Sequence, residues 1–254
     1  MIPCEDKVVV VTGASRGLGA GMARRFAERG LKLGLCARSA PVSLVDVPPA
    51  RVVCRQVDVR DEPALRAFTD EVATQHGSID LWINNAGVLD PVVFARDLES
   101  SALMEHLAIN VGGVLSGSRA FIRHRAAAGG GGVLINISSG AALKGYAGWS
   151  AYCASKAGVD RLTECIQLEE AEAGLHAYAV APGIIDTDMQ TAIRSMTAAQ
   201  FPMVEKFIEL KRQEAFSTPA FIADRLLAIA FDEGAEPDSV VLRLPAEKQR
   251  KSPS

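Results

Sequence analysis

The chain has 254 residues, 48% of them hydrophobic and 22% charged, with a net charge of −3. That length and apolar content suit one large α/β domain with a sizeable core, and the lack of a basic stripe excludes a nucleic-acid surface. The five cysteines (Cys4, Cys36, Cys54, Cys153, Cys165) have neither disulfide-framework nor zinc spacing. No metal is therefore expected, and free buried thiols in a reducing compartment are.

The N-terminal stretch MIPCEDKVVVVTG lacks a charged segment followed by a long apolar one, and no window has the length of a membrane span. A soluble, cytoplasmic protein with no membrane partner is expected. Residues 7–12 (KVVVVT) are a β-branched run that reads as a buried strand. They lead directly into Gly13, Ala14, Ser15, Arg16, Gly17, Leu18 and Gly19, after which a helical pattern continues to a C-capping Gly30. Strand, glycine turn and helix together form a dinucleotide cradle. The glycines let main chain approach a pyrophosphate, and the helix N-terminus supplies free N–H groups.

The second strand, 31–37, has no acid at its end to grip a ribose 2′-hydroxyl; it ends at Ala37-Arg38. Arg38 and Arg16 are suited in charge and geometry to a 2′-phosphate, which favours NADP(H) over NAD(H). The alternative is two solvated surface arginines. Pro41, Pro48 and Pro49 predict a loop or single turn where a crossover helix is usual. A third strand follows at 52–57 and then Asp58-Val59. Asp61 caps a helix to about His76, which Gly77 ends, and the fourth strand, 80–84, runs into Asn84-Asn85-Ala86-Gly87.

Residues 100–127 read as a long helix interrupted at Asn110, with Gly112, Gly113 and Gly117 behind it. Two readings remain open: a close helix contact that needs small side chains, or a local distortion that frees a carbonyl for a water. Gly129 to Gly132 form a linker to a fifth strand, 133–137. Ser139 lies just beyond that strand. Tyr152 and Lys156 open the next helix, 150–173, one turn apart on the same face. An ammonium beside a phenol favours the phenolate, so Tyr152 is expected to be unusually acidic and a useful general acid or base.

A sixth strand, 176–181, is closed by Pro182-Gly183. Residues 187–217 are rich in methionine and phenylalanine at helical spacing, with Met203, Phe207 and Leu210 on one face. They read either as a helix pair packed on the domain or as a movable cover over an apolar pocket. Thr218-Pro219 opens a last helix to about Phe231, and 239–244 form a seventh strand. The polar, basic segment 247–254 is expected to be a frayed tail on a domain spanning 1–246.

The set TGASRGLG (12–19), NNAG (84–87), Asn110, Ser139, Tyr152-x-x-x-Lys156 and Pro182-Gly183 resembles the classical short-chain dehydrogenase/reductase family, in order and spacing over almost the whole chain. GWSAYCASKAG, the Leu168-Glu169-Glu170 run and APGIIDTDMQ are similar to its sepiapterin reductase and benzil reductase branch. The resemblance implies a doubly wound Rossmann fold: seven parallel strands in one domain, helices on both faces. It implies a catalytic set of Asn110, Ser139, Tyr152 and Lys156. Tyr152 would give the proton, Ser139 would hold the carbonyl oxygen, Lys156 would bind the nicotinamide ribose, and Asn110 would support a water relay. For the cofactor it implies Asp58 and Val59 at the adenine, Asn85, Ala86 and Gly87 at the ribose, and Ile185 and Thr187 at the carboxamide. Asp238 corresponds to a substrate-binding aspartate of sepiapterin reductase. Association through the two long helices, as a homodimer or homotetramer, is also implied.

Together these expectations describe an NADP(H)-dependent reductase of a ketone or α-dicarbonyl. Its apolar pocket is expected to be bounded by Leu143, Trp149, Ile184 and Met189. Two rivals remain: a secondary-alcohol dehydrogenase running oxidatively, and a non-catalytic dinucleotide-sensing protein.

Overall fold

The computed structural model describes residues 4–213, 215–232, 234 and 237–247. Among them one sheet holds seven parallel strands in the order β3-β2-β1-β4-β5-β6-β7. β1 (Val8–Thr12) is an interior strand and every residue of it is buried, as expected for a parallel strand covered on both faces. Val9 registers with Leu33 of β2 (Lys32–Ala37) on one side and with Leu81 of β4 (Leu81–Asn84) on the other. β3 (Val52–Gln56) lies outside β2, and β5 (Val133–Ile137), β6 (His176–Ala181) and β7 (Val241–Arg243) continue beyond β4. The chain order thus reverses between β1 and β4, and the carboxyl ends of those strands open a crevice there.

Strand alternation sends side chains to two cores. On one face Val9, Val11, Leu33 and Leu35 pack with α1 (Gly17–Glu28) and α8 (Pro219–Phe231) through Met22, Phe26, Ile222 and Leu226. On the other, Val8, Val10, Trp82 and Leu134 meet α2 (Glu62–His76), α4 (Gly113–Ala127) and α5 (Ser150–Glu170) through Phe68, Phe121 and Ile166. The expected caps are present. The Asp61 carboxylate accepts from Ala64 N, and the Thr218 hydroxyl accepts from Phe221 N.

The glycine-rich long helix is distorted, and its glycines make room for a loop and a strand end rather than for the helix–helix contact expected. α3 (Ser100–Leu107) passes into α4 through one π-helical turn, Ala108–Gly112. Gly113 and Gly117 are small because a Cβ there would collide with Val59 and with the Asn84 side chain. The proline-rich crossover after Arg38 contains only the short turn Pro49–Arg51.

Four expectations need correction or limits. Cys4 and Cys36 are buried, and burial pushes the Cys36 thiol up to about 12, but Cys54 and Cys165 are exposed. The helix expected to reach residue 173 ends at Glu170 and tightens into a 3₁₀ turn, Ala171–Ala173. Glu247, expected to open a frayed tail, is tied down: its N donates to the Ser217 hydroxyl and its carboxylate accepts from Thr218 N. The remainder of that tail, 248–254, lies outside the described residues. Among those residues no helix is long and apolar enough to cross a membrane, and no group of His, Cys, Asp and Glu is placed to hold a metal ion.

Candidate active site

The crevice encloses about 900 Å³ above the ends of β1, β4, β5 and β6. Its first half is built mostly from main chain. Thr12 Oγ1 accepts from Asn85 N (3.0 Å) and Ala86 N (3.1 Å), while Asn85 Nδ2 donates back to Thr12 O (3.0 Å). This pins the two strand ends together. Gly13 turns with φ +69°, and a Cβ there would lie 2.7 Å from Ala86 Cα. A Cβ on Gly19 would run into the Gly13 carbonyl and the Asn85 amide. α1 starts without a side-chain cap and with no acid in its first turn, so its first N–H groups and positive dipole end are left for an anion. A cradle that any Cβ would fill, beside an uncapped helix start, fits the pyrophosphate of a dinucleotide.

All residues expected for the dinucleotide border this crevice: 13, 15–19, Arg38, Asp58, Val59, 85–87, Tyr152, Lys156, Pro182, Gly183, Ile185 and Thr187. Arg16 and Arg38 are both exposed at its rim. Arg16 lies 3.6 Å from the Asp188 carboxylate, and Arg38 lies near Asp58, whose carboxyl is held low chiefly by its paired neighbour Arg60.

Ser139, Tyr152 and Lys156 meet at the crevice floor. Ser139 follows β5; its hydroxyl accepts from Ala141 N (3.1 Å) and lies close enough to the Tyr152 phenol to favour its ionised form. Lys156 is buried one turn beyond Tyr152. Its ammonium lies 5.8 Å from the tyrosine ring centroid and donates to Ile137 O (2.8 Å). Burial brings the Lys156 amine down to about 8. The expected acidification of Tyr152 is overturned. Burial among apolar walls raises the phenol above its ordinary value, and the Ser139 hydroxyl offsets only part of that.

Asn110 does not border the crevice. It is completely buried behind the wall, in the π-helical turn. Its side chain pairs both ways with Val88, Oδ1 accepting from Val88 N (2.8 Å) and Nδ2 donating to Val88 O (2.9 Å).

The second half of the crevice is built from side chains. Trp149 stacks on Phe201 at 4.6 Å between ring centroids, packs against Phe207, and meets Tyr152 edge-on at 5.6 Å. Phe201, Phe207 and Val204 come from the methionine-rich excursion, which forms α6 (Asp188–Arg194) and α7 (Val204–Arg212). Leu210, placed with Met203 and Phe207 on one face, is only partly buried and is not part of this cluster. The excursion closes at its base, where Ile185 pairs with Ser217.

Trp149, Ile184 and Met189 border the crevice as expected; Leu143 and Asp238 do not. Leu143 is 60% exposed beyond the short turn after Ser139, and Asp238 is exposed in the loop before β7. Tyr146, Leu89, Ile193 and Phe207 take their places, with Asp90, Gln190 and Lys206 as polar neighbours. Sequence reasoning also missed three buried or half-buried supports: His106, Ser155 and Asp160. His106 and Asp160 stand four residues from Asn110 and Lys156, a helical spacing that would have found both. Asp160 accepts a hydrogen bond from Ser138, next to Ser139.

A switch-point crevice with a glycine cradle and a serine–tyrosine–lysine floor defines a dinucleotide-dependent oxidoreductase. The profile of the short chain dehydrogenase family matches residues 7–198, and the chain belongs to that family, in its benzil-reductase-like branch. It is 32% identical over 236 residues to "Benzil reductase ((S)-benzoin forming)" of Bacillus subtilis (strain 168), covering 91% of this chain and 95% of that one. It is 33% identical over 241 residues to a "Cis-4-hydroxycyclohexanecarboxylate dehydrogenase" of Sinomonas cyclohexanicum, covering 88% and 95%. The crystal structure of levodione reductase superposes with a TM-score of 0.81 at 26% identity, over 94% of this chain and 96% of that one. The protein is thus an oxidoreductase of a family that uses nicotinamide dinucleotides.

Proposed function

We propose that the chain is an NADP(H)-dependent carbonyl reductase that converts an apolar ketone or α-dicarbonyl to the alcohol, with Tyr152 as proton donor. The observation that carries this reading is the convergence of Ser139, Tyr152 and Lys156 directly beneath the Trp149–Phe201–Phe207 stack. The nicotinamide ring, when bound, supplies the hydride.

The chain's own residues do the rest. Ser139 offers its hydroxyl to the carbonyl oxygen. A phenol held above its ordinary value stays protonated at neutral pH, which is the form a reduction consumes. Lys156, buried below, stabilises the phenolate that remains and would hold the nicotinamide ribose. The glycine turn and the α1 N-terminus would hold the pyrophosphate, and Arg16 and Arg38 the 2′-phosphate. The aromatic walls exclude water and favour a bulky or aromatic carbonyl over a sugar. Trp149, Ile184 and Met189 are the substrate contacts retained from the sequence. The relative named as a dehydrogenase supports the same site running toward the ketone.

The reading is tested by following NADPH oxidation with benzil and simple diketones. Tyr152→Phe is expected to lower kcat about 1000-fold while leaving NADPH binding nearly unchanged. Turnover retained in the Tyr152→Phe variant overturns the proposal.

A further inference from the structure

The crevice wall that carries residues 88–90 is tied to the Tyr152 helix through a buried imidazole and the Asn110 amide beside it. His106, 1% exposed, lies in the last turn of α3. Its Nδ1 is 2.7 Å from the Asp90 carbonyl oxygen. A carbonyl only accepts, so Nδ1 carries the proton and Nε2 is a lone pair.

The shorter of the Asn110 contacts favours the same tautomer. The Val88 main chain fixes the orientation of the Asn110 amide, since N–H meets Oδ1 and C=O meets Nδ2. The second Nδ2 hydrogen then lies between His106 Nε2 at 2.9 Å and Ser155 Oγ at 3.2 Å. Ser155 Oγ, 3.1 Å from Nε2, spends its own hydrogen on Tyr152 O at 2.8 Å. With the imidazole neutral, the Asn110 amide has Nε2 as its nearer acceptor and Ser155 Oγ as its second. A proton added at Nε2 would set N–H against the Asn110 amide at 2.9 Å and leave both donors to share Ser155 Oγ in a buried space.

The charged and titratable neighbours are few. Lys156 on α5 disfavours the imidazolium, Asp90 on the loop favours it, and Tyr152 meets the ring edge-on at 6.3 Å. Burial outweighs them and holds His106 below its ordinary value.

We propose that His106 is a positioning residue: neutral, it keeps Asn110 and the wall at residues 88–90 in register with Tyr152, and its protonation releases them and sets the acid limit of turnover. This rests on the carbonyl-reductase reading above. It goes further by assigning the low-pH behaviour to a group that touches neither substrate nor cofactor.

Linkage gives a second consequence. The folded protein resists protonating His106, whereas the unfolded chain takes up a proton near 6.5. Stability from this group is present above 6.5 and is lost as pH falls through the folded value.

The experiment compares wild type with His106→Gln and His106→Leu. Glutamine can still accept from Asn110 but does not titrate in this range. Wild-type kcat is expected to fall about tenfold per pH unit on the acid side, and His106→Gln to flatten that limb while keeping most activity at neutral pH. His106→Leu is expected to lose about tenfold in kcat with an unchanged Kd for NADPH. An acid limb that persists in His106→Gln, or a wild-type kcat in His106→Leu, overturns the proposal.

Nitrogen-15 NMR of the wild-type histidines reads the tautomer without turnover. An Nδ1–H imidazole at neutral pH supports the proposal, and an Nε2–H form or a cation overturns it. If no ketone is reduced at all, the functional reading fails and the NMR result alone decides for His106.

Discussion

The dinucleotide half of the crevice is walled by main chain and glycine, and the half proposed for the substrate by side chains, with Trp149 backed by Phe201 and Phe207 of the excursion. In the first, an extra carbon on Gly13 meets the Ala86 backbone of the neighbouring strand end, and one on Gly19 meets the Gly13 carbonyl and the Asn85 side chain. In the second, Trp149, Phe201 and Phe207 meet one another across centroid distances of 4.6 to 5.6 Å. Main chain has few ways to rearrange, so the first half constrains sequence residue by residue. Packed side chains exchange for others of similar volume, so the second half constrains only bulk and apolarity.

The largest effect that would break this contrast is expected at Gly19. Gly19→Ala should weaken NADPH binding about 100-fold or more, because the closely approached carbonyl and amide belong to a rigid turn; fluorescence titration reads it, and near-normal affinity would mean the cradle is plastic. Next is Trp149→Ala, expected to remove about 3–5 kcal/mol of stability and to raise KM for aryl ketones, with the Kd for NADPH held within about twofold if the halves are independent. On the proposed NADP(H) reading, Arg38→Ala sharpens the comparison at the rim: loss of a charge-assisted contact to the 2′-phosphate should cut an NADPH-over-NADH preference in kcat/KM about tenfold. The smallest effects are expected at Leu143→Ala and Asp238→Asn, both within about twofold in kcat/KM because exposed positions away from the crevice contribute little.

The same contrast explains what was legible in the sequence. The β1 run, the glycine turn, the 84–87 turn and the Tyr152/Lys156 pair are local patterns whose spacing alone fixes where they lie. Asp238 is assigned by similarity and Leu143 by its apolar character to a pocket whose walls come from distant segments, and there local pattern carries no information about direction. Ser139 leads into a short turn, and that turn sends Leu143 outward. The acidity expected of Tyr152 failed for a related reason: the lysine spacing was visible, but the apolar surroundings that raise both groups' cost of charging were assembled only by the fold. His106 escaped notice because a lone histidine in an apolar helix looks like core until its partners Asp90, Asn110, Ser155 and Tyr152 are brought to it.

The pairing of Ile185 with Ser217, secured by Ser217 N donating to Ile184 O at 3.0 Å, means that the intervening segment departs from and returns to a single point on the scaffold. Such an arrangement is a cassette. Lengthening or replacing it changes loop-closure entropy only slowly with length and leaves the glycine cradle untouched. A graft of the corresponding segment from another family member should therefore carry substrate preference with it, which makes this stretch the natural unit for re-engineering selectivity.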